Sequence, residues 1–458
     1  MNENKGKNLG ERENFSSSLG ILAAAVGSAI GLGNIWRFPT IAGQNGGGAF
    51  LIIYLGIVAL IGLPIMVSEF IIGREGKSDA IGSFKNLSKG PWFASGVLGV
   101  LAAFFILSFY GVVAGWTLEY IVKAATNAFD GQSAEQITTM FTSFIADPIK
   151  PIIWQVAFML VTALVVSTGV QKGIEKLAKI LVPLLLVIII ILDVQALSLP
   201  GGKAGLEFLF KPDWSAVTWS VVLAALGHAF FSLSLGMGIM ITYGSYMDEK
   251  ENLGKMALGI SIGDTLIALL AGIAIFPAVF SFGIEPTSGA GLVFMSLPNV
   301  FTQMAGGYIF GILFFALLAL AALTSTMSLL EVVVAYFVDS HNIKRRNATI
   351  ISLVSITAVG MIASLSNGVL SHIQIGGNNI FDFIDNTTAD YFLTTAALIS
   401  VIFLGWRLDK DLVKRQLTSG GTVKASYANV FMFLVRFIAP IGIILVFLFQ
   451  LGFLGTAV

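Results

Sequence analysis

The sequence predicts an all-α polytopic membrane protein, and three observations carry that prediction. Of its 458 residues, 56% are hydrophobic and only 11% are charged, where soluble domains average about 25% charged. Mean hydropathy is +0.88. Eleven apolar stretches, near 15–42, 47–73, 94–126, 152–169, 177–197, 216–246, 255–282, 307–338, 348–367, 380–406 and 430–454, are long enough to cross a bilayer, which takes roughly 20 helical residues. Alternation at period two is absent, so a β-barrel does not fit. Two shorter stretches, 132–146 and 287–304, read as extramembrane helices or hairpins on the outer side.

Charge sets the orientation through the excess of Lys and Arg on cytoplasmic loops. With the N-terminus inside, the inner segments hold 20 of the 26 Lys and Arg residues. The outer ones hold 4 (Lys123, Lys150, Lys203, Lys211), and Arg37 and Arg436 fall within spans. The expected protein is therefore a multi-pass protein of the inner (plasma) membrane, with its N-terminus in the cytoplasm and its C-terminus outside. A short cytoplasmic tail, residues 1–14, is expected to precede a single transmembrane domain at 15–458. Reading residues 1–29 as a signal peptide is disfavoured, because cleavage would remove the part of the chain richest in polar and glycine positions. Balanced charge, 26 Lys+Arg against 26 Asp+Glu, argues against a nucleic-acid partner. The absence of cysteine excludes disulfides, thiolate metal sites and cysteine nucleophiles.

Membrane helices must satisfy their own backbone, so a mid-membrane interruption needs a reason. The first stretch contains Gly27-Ser28-Ala29-Ile30-Gly31-Leu32-Gly33-Asn34, and the sixth contains Phe231-Ser232-Leu233-Ser234-Leu235-Gly236-Met237-Gly238. Each glycine costs about 1 kcal/mol in a helix interior. The two stretches open two halves of five helices, about 15–197 and 216–406. An odd count inserts the second half upside down, and interrupted helices at matching places in inverted halves point to a transporter site. The expected architecture is thus a five-plus-five inverted repeat with helices 1 and 6 broken, followed by the eleventh helix.

Polar residues in apolar surroundings narrow the chemistry. Arg37 lies just outward of the first break, and Asp382 and Asp385 open the tenth span on the same side, so Arg37 and Asp385 can form a closing pair. Arg12 and Asp339 can form a matching latch inside. Glu69, and similarly Glu331, can tie down unwound backbone or act as ligands. Asp264 needs a compensating partner if it is ionised, which a bound sodium ion supplies. The run Thr324-Ser325-Thr326 offers hydroxyl oxygens suited to a hard cation. The histidines, His228, His341 and His372, sit on three different stretches, which argues against a metal centre, and His228 reads as a hydrogen-bonded structural residue. Neither Gly31-Leu32-Gly33 nor Gly46-Gly47-Gly48 fits a phosphate loop.

With these residues assembled, the chain resembles the neurotransmitter:sodium symporter family, specifically its bacterial amino-acid transporters. The resemblance runs from about Arg12 to Gly405. It is carried by Gly31-Leu32-Gly33-Asn34-Ile35-Trp36-Arg37-Phe38-Pro39, Asn45-Gly46-Gly47-Gly48-Ala49-Phe50 and Ser232-Leu233-Ser234-Leu235-Gly236. It implies one sodium site at the Ala29 carbonyl, Asn34, Ser232 and Asp264, with the substrate carboxylate as a further ligand. A second would use the carbonyls of Gly27, Ile30 and Ala321 with the hydroxyls of Thr324 and Ser325. The substrate carboxylate would meet the amides of Leu32 and Gly33 and the hydroxyl of Tyr110. Ala29, Ile106, Phe231, Ser232, Ser234, Met237, Thr326 and Leu329 would complete the substrate pocket. Arg37 with Asp385 would form the outer gate, and Arg12, Tyr246 and Asp339 the inner one.

Gly31 stands where monoamine carriers of the family have an aspartate, so an amino acid is the expected substrate. Asp264 stands where many relatives have asparagine beside a chloride site, so its carboxylate is expected to supply the negative charge and make transport chloride-independent. Gly173 and Pro183 are expected to let the inner part of the fifth span loosen. The resulting expectation is a sodium-coupled symporter, not an enzyme, that imports an L-amino acid with a hydrophobic or aromatic side chain by alternating access. It would carry two Na⁺ ions and need no organic cofactor. The rival is an ion or solute channel, which would need a continuous polar path rather than one compact cluster.

Overall fold

The computed structural model describes residues 13–283, 292–304, 306–450 and 453. Among these, nine helices are long and apolar enough to cross a membrane: Gly48–Gly76, Phe93–Ala125, Lys150–Ser167, Val170–Leu197, Leu253–Ser281, Gly307–His341, Arg345–Leu365, Ile380–Arg407 and Ala428–Phe449. A tenth is a bent pair, Ser18–Ala29 and Gly33–Gln44, meeting at 47°. The sixth apolar stretch folds as Trp219–Ser232 and Ile239–Ser245, with residues 233–238 between them. Below, these elements keep the ordinal of the stretch they came from, so that the first and sixth are the two helix pairs. The only sheet among the described residues is a two-residue hairpin, Gln374–Ile375 against Asn378–Asn379.

Local chemistry explains where the helices begin. Ser17 accepts the amide of Gly20 to start the first helix, and Thr218 accepts that of Val221 to start the sixth. Proline occupies an early position in Phe38–Gln44, Lys150–Ser167 and Leu297–Thr302, where its missing N–H is harmless. The extramembrane stretch 132–146 forms Ala134–Ala146, opened by a reciprocal Ser133/Gln136 capping box. Of the stretch 287–304, residues Leu292–Thr302 are helical and 287–291 lie outside the described residues.

The third and eighth helices pack most extensively and form the central pair of the bundle. Lipid-facing stripes are plain on the outer helices. On the fifth, Ile180, Leu184, Val187, Ile191 and Val194 recur at helical spacing and are exposed. Small residues let backbones meet without a hydrophobic driving force in lipid. A Cβ on Gly73 of the second helix would lie 1.9 Å from the Ile241 carbonyl oxygen, and one on Gly244 would lie 2.8 Å from that of Phe70. The second helix is thereby pressed directly against Ile239–Ser245.

The inner part of the fifth span is helical in this structure: Val170–Glu175 forms a π-helical turn that runs on into Lys176–Leu197, with Pro183 inside the continuous helix. Gly173 packs closely there, since a Cβ would meet the Val165 carbonyl oxygen at 2.1 Å. Residues 13–17 are held against the same turn. The Glu13 carboxylate accepts the Val170 amide at 2.6 Å, and Gln171 donates to the Asn14 carbonyl at 2.6 Å. Glu175 accepts the Ser16 amide at 2.8 Å and the Lys179 ammonium at 2.6 Å. The start of the first helix is fastened to the fifth.

Gly73→Val is expected to destabilise the protein by about 1–3 kcal/mol, the usual cost of overpacking, and to lower its melting temperature in detergent by several degrees. Gly56→Ala, on the same helix but with open space around it, is expected to leave the melting temperature unchanged or slightly raised.

Candidate functional site

The site grows from the two interruptions. The first helix ends at Ala29, where the Ile30 amide still donates to the Val26 carbonyl at 2.7 Å, and helical geometry resumes at Gly33. Two amides freed in between are taken by side chains: Leu32 N–H donates to the Tyr110 hydroxyl at 2.7 Å, and Gly31 N–H to Asn34 Oδ1 at 3.1 Å. In the sixth pair, Ser234, Gly236 and Gly238 adopt positive φ of 55°, 75° and 74°, a region that glycine enters freely and other residues rarely. The Gly236 amide donates to Glu69 Oε1 at 2.9 Å. Glu69 is fully buried in the second helix. Of the two roles open to Glu69, the geometry selects the tie on unwound backbone.

The first polar cluster joins the two halves. Asn34 Nδ2 donates to Asp264 Oδ1 at 2.7 Å and to the Asp264 carbonyl at 3.0 Å, and reaches Ser232 Oγ at 3.5 Å. Ser232 donates to Asp264 Oδ1 at 2.8 Å, and Tyr54 donates to Oδ2 at 3.0 Å. All four residues are buried. Three side chains, from the first, second and sixth helices, thus meet at one carboxylate on the seventh. No formal positive charge takes part in these bonds, so a cation held by these oxygens would offset the carboxylate's cost of burial.

The second cluster lies where the first helix faces the eighth. Thr324 donates to the Ala321 carbonyl at 2.8 Å and reaches the Ile30 carbonyl at 3.2 Å. Ser325 donates to the Ser28 carbonyl at 3.0 Å and reaches that of Ile30 at 3.4 Å. Gly27 packs against Thr324, whose Cβ would stand 3.3 Å from a Cβ at that position. The donor set is hydroxyl and carbonyl oxygen, the chemistry of a hard cation.

Between the clusters lies a small cavity of about 20 Å³ lined by residues that include Ala29, Gly33, Ile106, Tyr110, Phe231, Ser232, Ser234, Met237 and Leu329. Ser28, Gly31, Ser325 and Ile239 line it too. Backbone and hydroxyl groups face one end, and Ile106, Phe231, Met237, Ile239 and Leu329 supply apolar wall. Two expected lining residues are absent from it. Leu32 lines the next cavity outward, and Thr326 shares a hydrogen bond of 3.0 Å with Thr162 of the fourth helix and donates to the Leu323 carbonyl. Thr326 is therefore turned towards its own bundle and not towards the cavity.

On the Arg37 side lies a second cavity of about 230 Å³, lined by Trp36, Arg37, Thr40, Phe109, Val113, Phe381 and Asp385, with Gly33, Tyr110 and Phe231 shared with the first. The shared residues form the partition. Arg37 lies 3.9 Å from Asp385 and 4.7 Å above the Phe231 ring, so cation–π and ionic contacts close over the site together. At the opposite end, Tyr246 donates to Glu331 at 2.7 Å, and Arg345 forms a two-pronged pair with Glu331 while donating to the Val166 carbonyl at 2.9 Å. Phe15 stacks edge-on against Tyr243 and Tyr246, 5.4 and 6.2 Å between centroids. Arg12 lies outside the described residues. Asp339 is half-buried near the end of the eighth helix. Glu331, read as a possible tie on unwound backbone, instead anchors the ninth helix through Arg345.

His228 corrects another expectation. Neither ring nitrogen has a hydrogen-bond partner among the described residues. The ring packs among Phe38, Phe50 and Tyr54 at 5.8, 6.4 and 5.3 Å. Tyr54, Ile239 and Arg345 take part in these clusters without being singled out by the sequence, whereas Ser28 stands beside the first glycine cluster. Tyr54 sits in an unbroken apolar run, and nothing in its local pattern separates it from a core tyrosine. In sequence Arg345 is one basic residue in a run of three, Lys344-Arg345-Arg346.

Removing the Glu69 acceptor leaves a buried amide unsatisfied, at a cost of about 1–3 kcal/mol. Glu69→Ala is therefore expected to abolish substrate binding and lower the melting temperature. Glu69→Gln, which keeps a carbonyl oxygen, is expected to retain a measurable part of both; equal loss in the two variants would remove the Gly236 tie from the account.

The model of the sodium:neurotransmitter symporter family matches residues 12–142 and 135–455. The chain is similar to the uncharacterized sodium-dependent transporter YhdH of Bacillus subtilis (strain 168), with 40% identity over 96% of this chain and 98% of the relative. It is similar to an uncharacterized sodium-dependent transporter of Haemophilus influenzae at 35% identity, again over 96% and 98%. Among solved structures it is similar to MhsT, crystallised in complex with L-phenylalanine, with a TM-score of 0.89 and 48% identity over 95% of this chain and 99% of that one. The fold, the multi-pass helical composition and the family model agree, and the chain belongs to the sodium:neurotransmitter symporter family, a family of transporters and not of enzymes.

Proposed function

We propose that the protein is a sodium-coupled symporter that imports an L-amino acid with a hydrophobic or aromatic side chain by alternating access, with eleven crossings in which the sixth pair counts as one. The observation that carries this reading is the convergence of interrupted helix ends and oxygen-bearing side chains around one buried cavity. Half-helix amides favour an anion, and freed carbonyls favour cations. The Leu32 amide, already hydrogen-bonded to Tyr110, supports a carboxylate position beside Gly33. The Asn34–Ser232–Asp264 cluster supports one sodium site, and Ile30, Ala321, Thr324 and Ser325 support a second. The apolar cavity wall supports a hydrophobic or aromatic side chain, and L-phenylalanine, bound by the solved relative, is the natural first probe. In this reading Asp264 supplies the negative charge that makes chloride unnecessary. The N-terminus is taken as cytoplasmic and the C-terminus as external, in the plasma membrane.

Proteoliposomes test the reading. Uptake of labelled L-phenylalanine and other apolar amino acids is expected to saturate, to require an inward sodium gradient and to ignore chloride. Flux that neither saturates nor responds to sodium would instead mark a channel. Asp264→Asn is expected to cut uptake at least tenfold or to make it respond to added chloride; unaltered, chloride-insensitive uptake would remove the carboxylate from the sodium argument. Thr324→Ala combined with Ser325→Ala is expected to raise the half-saturating sodium concentration by about tenfold or more, equivalent to about 1.4 kcal/mol. A sodium titration that superimposes on the parent would contradict the second site.

A further inference from the structure

An arginine that the transport site does not use lies on the outside of the bundle. Arg436 sits eight residues into the eleventh helix, Ala428–Phe449, within the π-helical turn Leu434–Ile438. Its Nε donates to the Gly405 carbonyl at 2.7 Å, in the final turn of the tenth helix, whose carbonyls lack intrahelical donors. Gly405 is needed for this approach, because a Cβ there would stand 3.1 Å from Arg436 Cγ. The stem therefore lies across Gly405, and the guanidinium reaches the last turn of the tenth helix. Among the described residues no carboxylate pairs with it and no second hydrogen bond reaches it. Four of its five N–H donors remain to be matched.

The surroundings say what approaches from outside. The guanidinium carbon is 5.7 Å from the Trp406 ring. Trp406 is 61% exposed, Phe433 54% and Phe437 44%, and these rings touch in series at 5.8 and 5.5 Å. They form an exposed aromatic row on two spanning helices, apolar enough to face acyl chains, with Trp406 the ring type enriched at membrane boundaries. Arg407, Lys410, Lys414 and Lys424 are all exposed along the connection at the same end. Of the acids nearby, Asp409 and Asp411 are both exposed, and Asp409 caps the amides of Asp411 and Leu412 at 2.7 and 3.2 Å, so the four cations outnumber them two to one.

We propose that Arg436, with Trp406 and Arg407, binds the phosphate of an anionic phospholipid where the tenth and eleventh helices meet the membrane surface. A phosphate diester supplies acceptor oxygens in the geometry of a guanidinium fork. The aromatic row admits acyl chains from the bilayer side, which free phosphate does not use, and the basic connection favours a headgroup with net negative charge.

The test uses the full chain in nanodiscs of phosphatidylcholine alone or mixed equally with phosphatidylglycerol, with retained lipids counted by native mass spectrometry. The wild type is expected to retain phosphatidylglycerol over phosphatidylcholine by about fivefold, the weight of one basic side chain at an anionic surface, and to melt higher in the mixed discs. Arg436→Gln is expected to lose both differences, while Arg436→Lys keeps part of them. A guanidinium that only caps the tenth helix would lower the melting temperature equally in both lipids and leave lipid retention unchanged, which overturns the proposal. Trp406→Leu with Arg407→Gln leaves the Gly405 contact intact and carries the comparison if Arg436→Gln does not fold; an undiminished preference in that variant also overturns it.

Discussion

In hydrocarbon, a main-chain amide or carbonyl that leaves its helix must be met by another polar group, and this constraint organises the centre of the molecule. The amides of Gly31, Leu32 and Gly236 are met by Asn34, Tyr110 and Glu69. The carbonyls of Ser28 and Ile30 are met by Ser325 and Thr324. These five groups come from the first and sixth helix pairs, and their partners from the first, second, third and eighth helices. The geometry at the interruptions is therefore held by the surrounding bundle and does not rest on the glycines alone. Glycine permits the left-handed turns at Gly236 and Gly238, and the partners make those turns tolerable in a membrane.

The same arrangement gives the proposed ions and substrate a reason to act on one another. In the proposed first sodium site, Asn34 belongs to the interrupted first pair, Ser232 ends the first half of the sixth, and Asp264 stands on the seventh helix. An ion among them would tie three separate helical elements together. In the proposed second site the hydroxyls of Thr324 and Ser325 already lean on the carbonyls that a cation would take. Replacing a hydroxyl donor by a cation strengthens the hold of the eighth helix on the first. At the two ends, Arg37 with Asp385 and Arg345 with Glu331 are ionic contacts between different helices. Such contacts have discrete made and broken states, as an alternating-access cycle requires.

Much of this was legible in the sequence because the bilayer leaves so few solutions. Apolar length located the helices to within a few residues, although Val170–Leu197 begins well before the expected 177. That difference has a local cause: Lys172, Glu175 and Lys176 lower the apolarity of a turn that helix packing and the Glu175 tether nevertheless retain. Asn34, Ser232, Asp264, Thr324 and Ser325 stood out because hydroxyl, amide and carboxylate groups are expensive in such surroundings. Side-chain direction was not legible. Thr326 follows two hydroxyl residues directly, yet helical rotation by one position turns it to Thr162 and away from the cavity. Tyr54 and His228 resemble ordinary core residues in sequence, and only the fold sets Tyr54 against Asp264 and His228 in an aromatic nest without hydrogen bonds.

The central claim is that cation and substrate share the interrupted backbone, so that each improves the binding of the other by an equal factor. Equilibrium binding of labelled L-phenylalanine to the purified protein, titrated with sodium at constant ionic strength, measures this most directly. The account predicts that the apparent Kd of the amino acid falls steeply as sodium rises, and that saturating amino acid tightens sodium binding by the same ratio. Amino-acid binding of equal strength in sodium and in sodium-free choline buffer would contradict it.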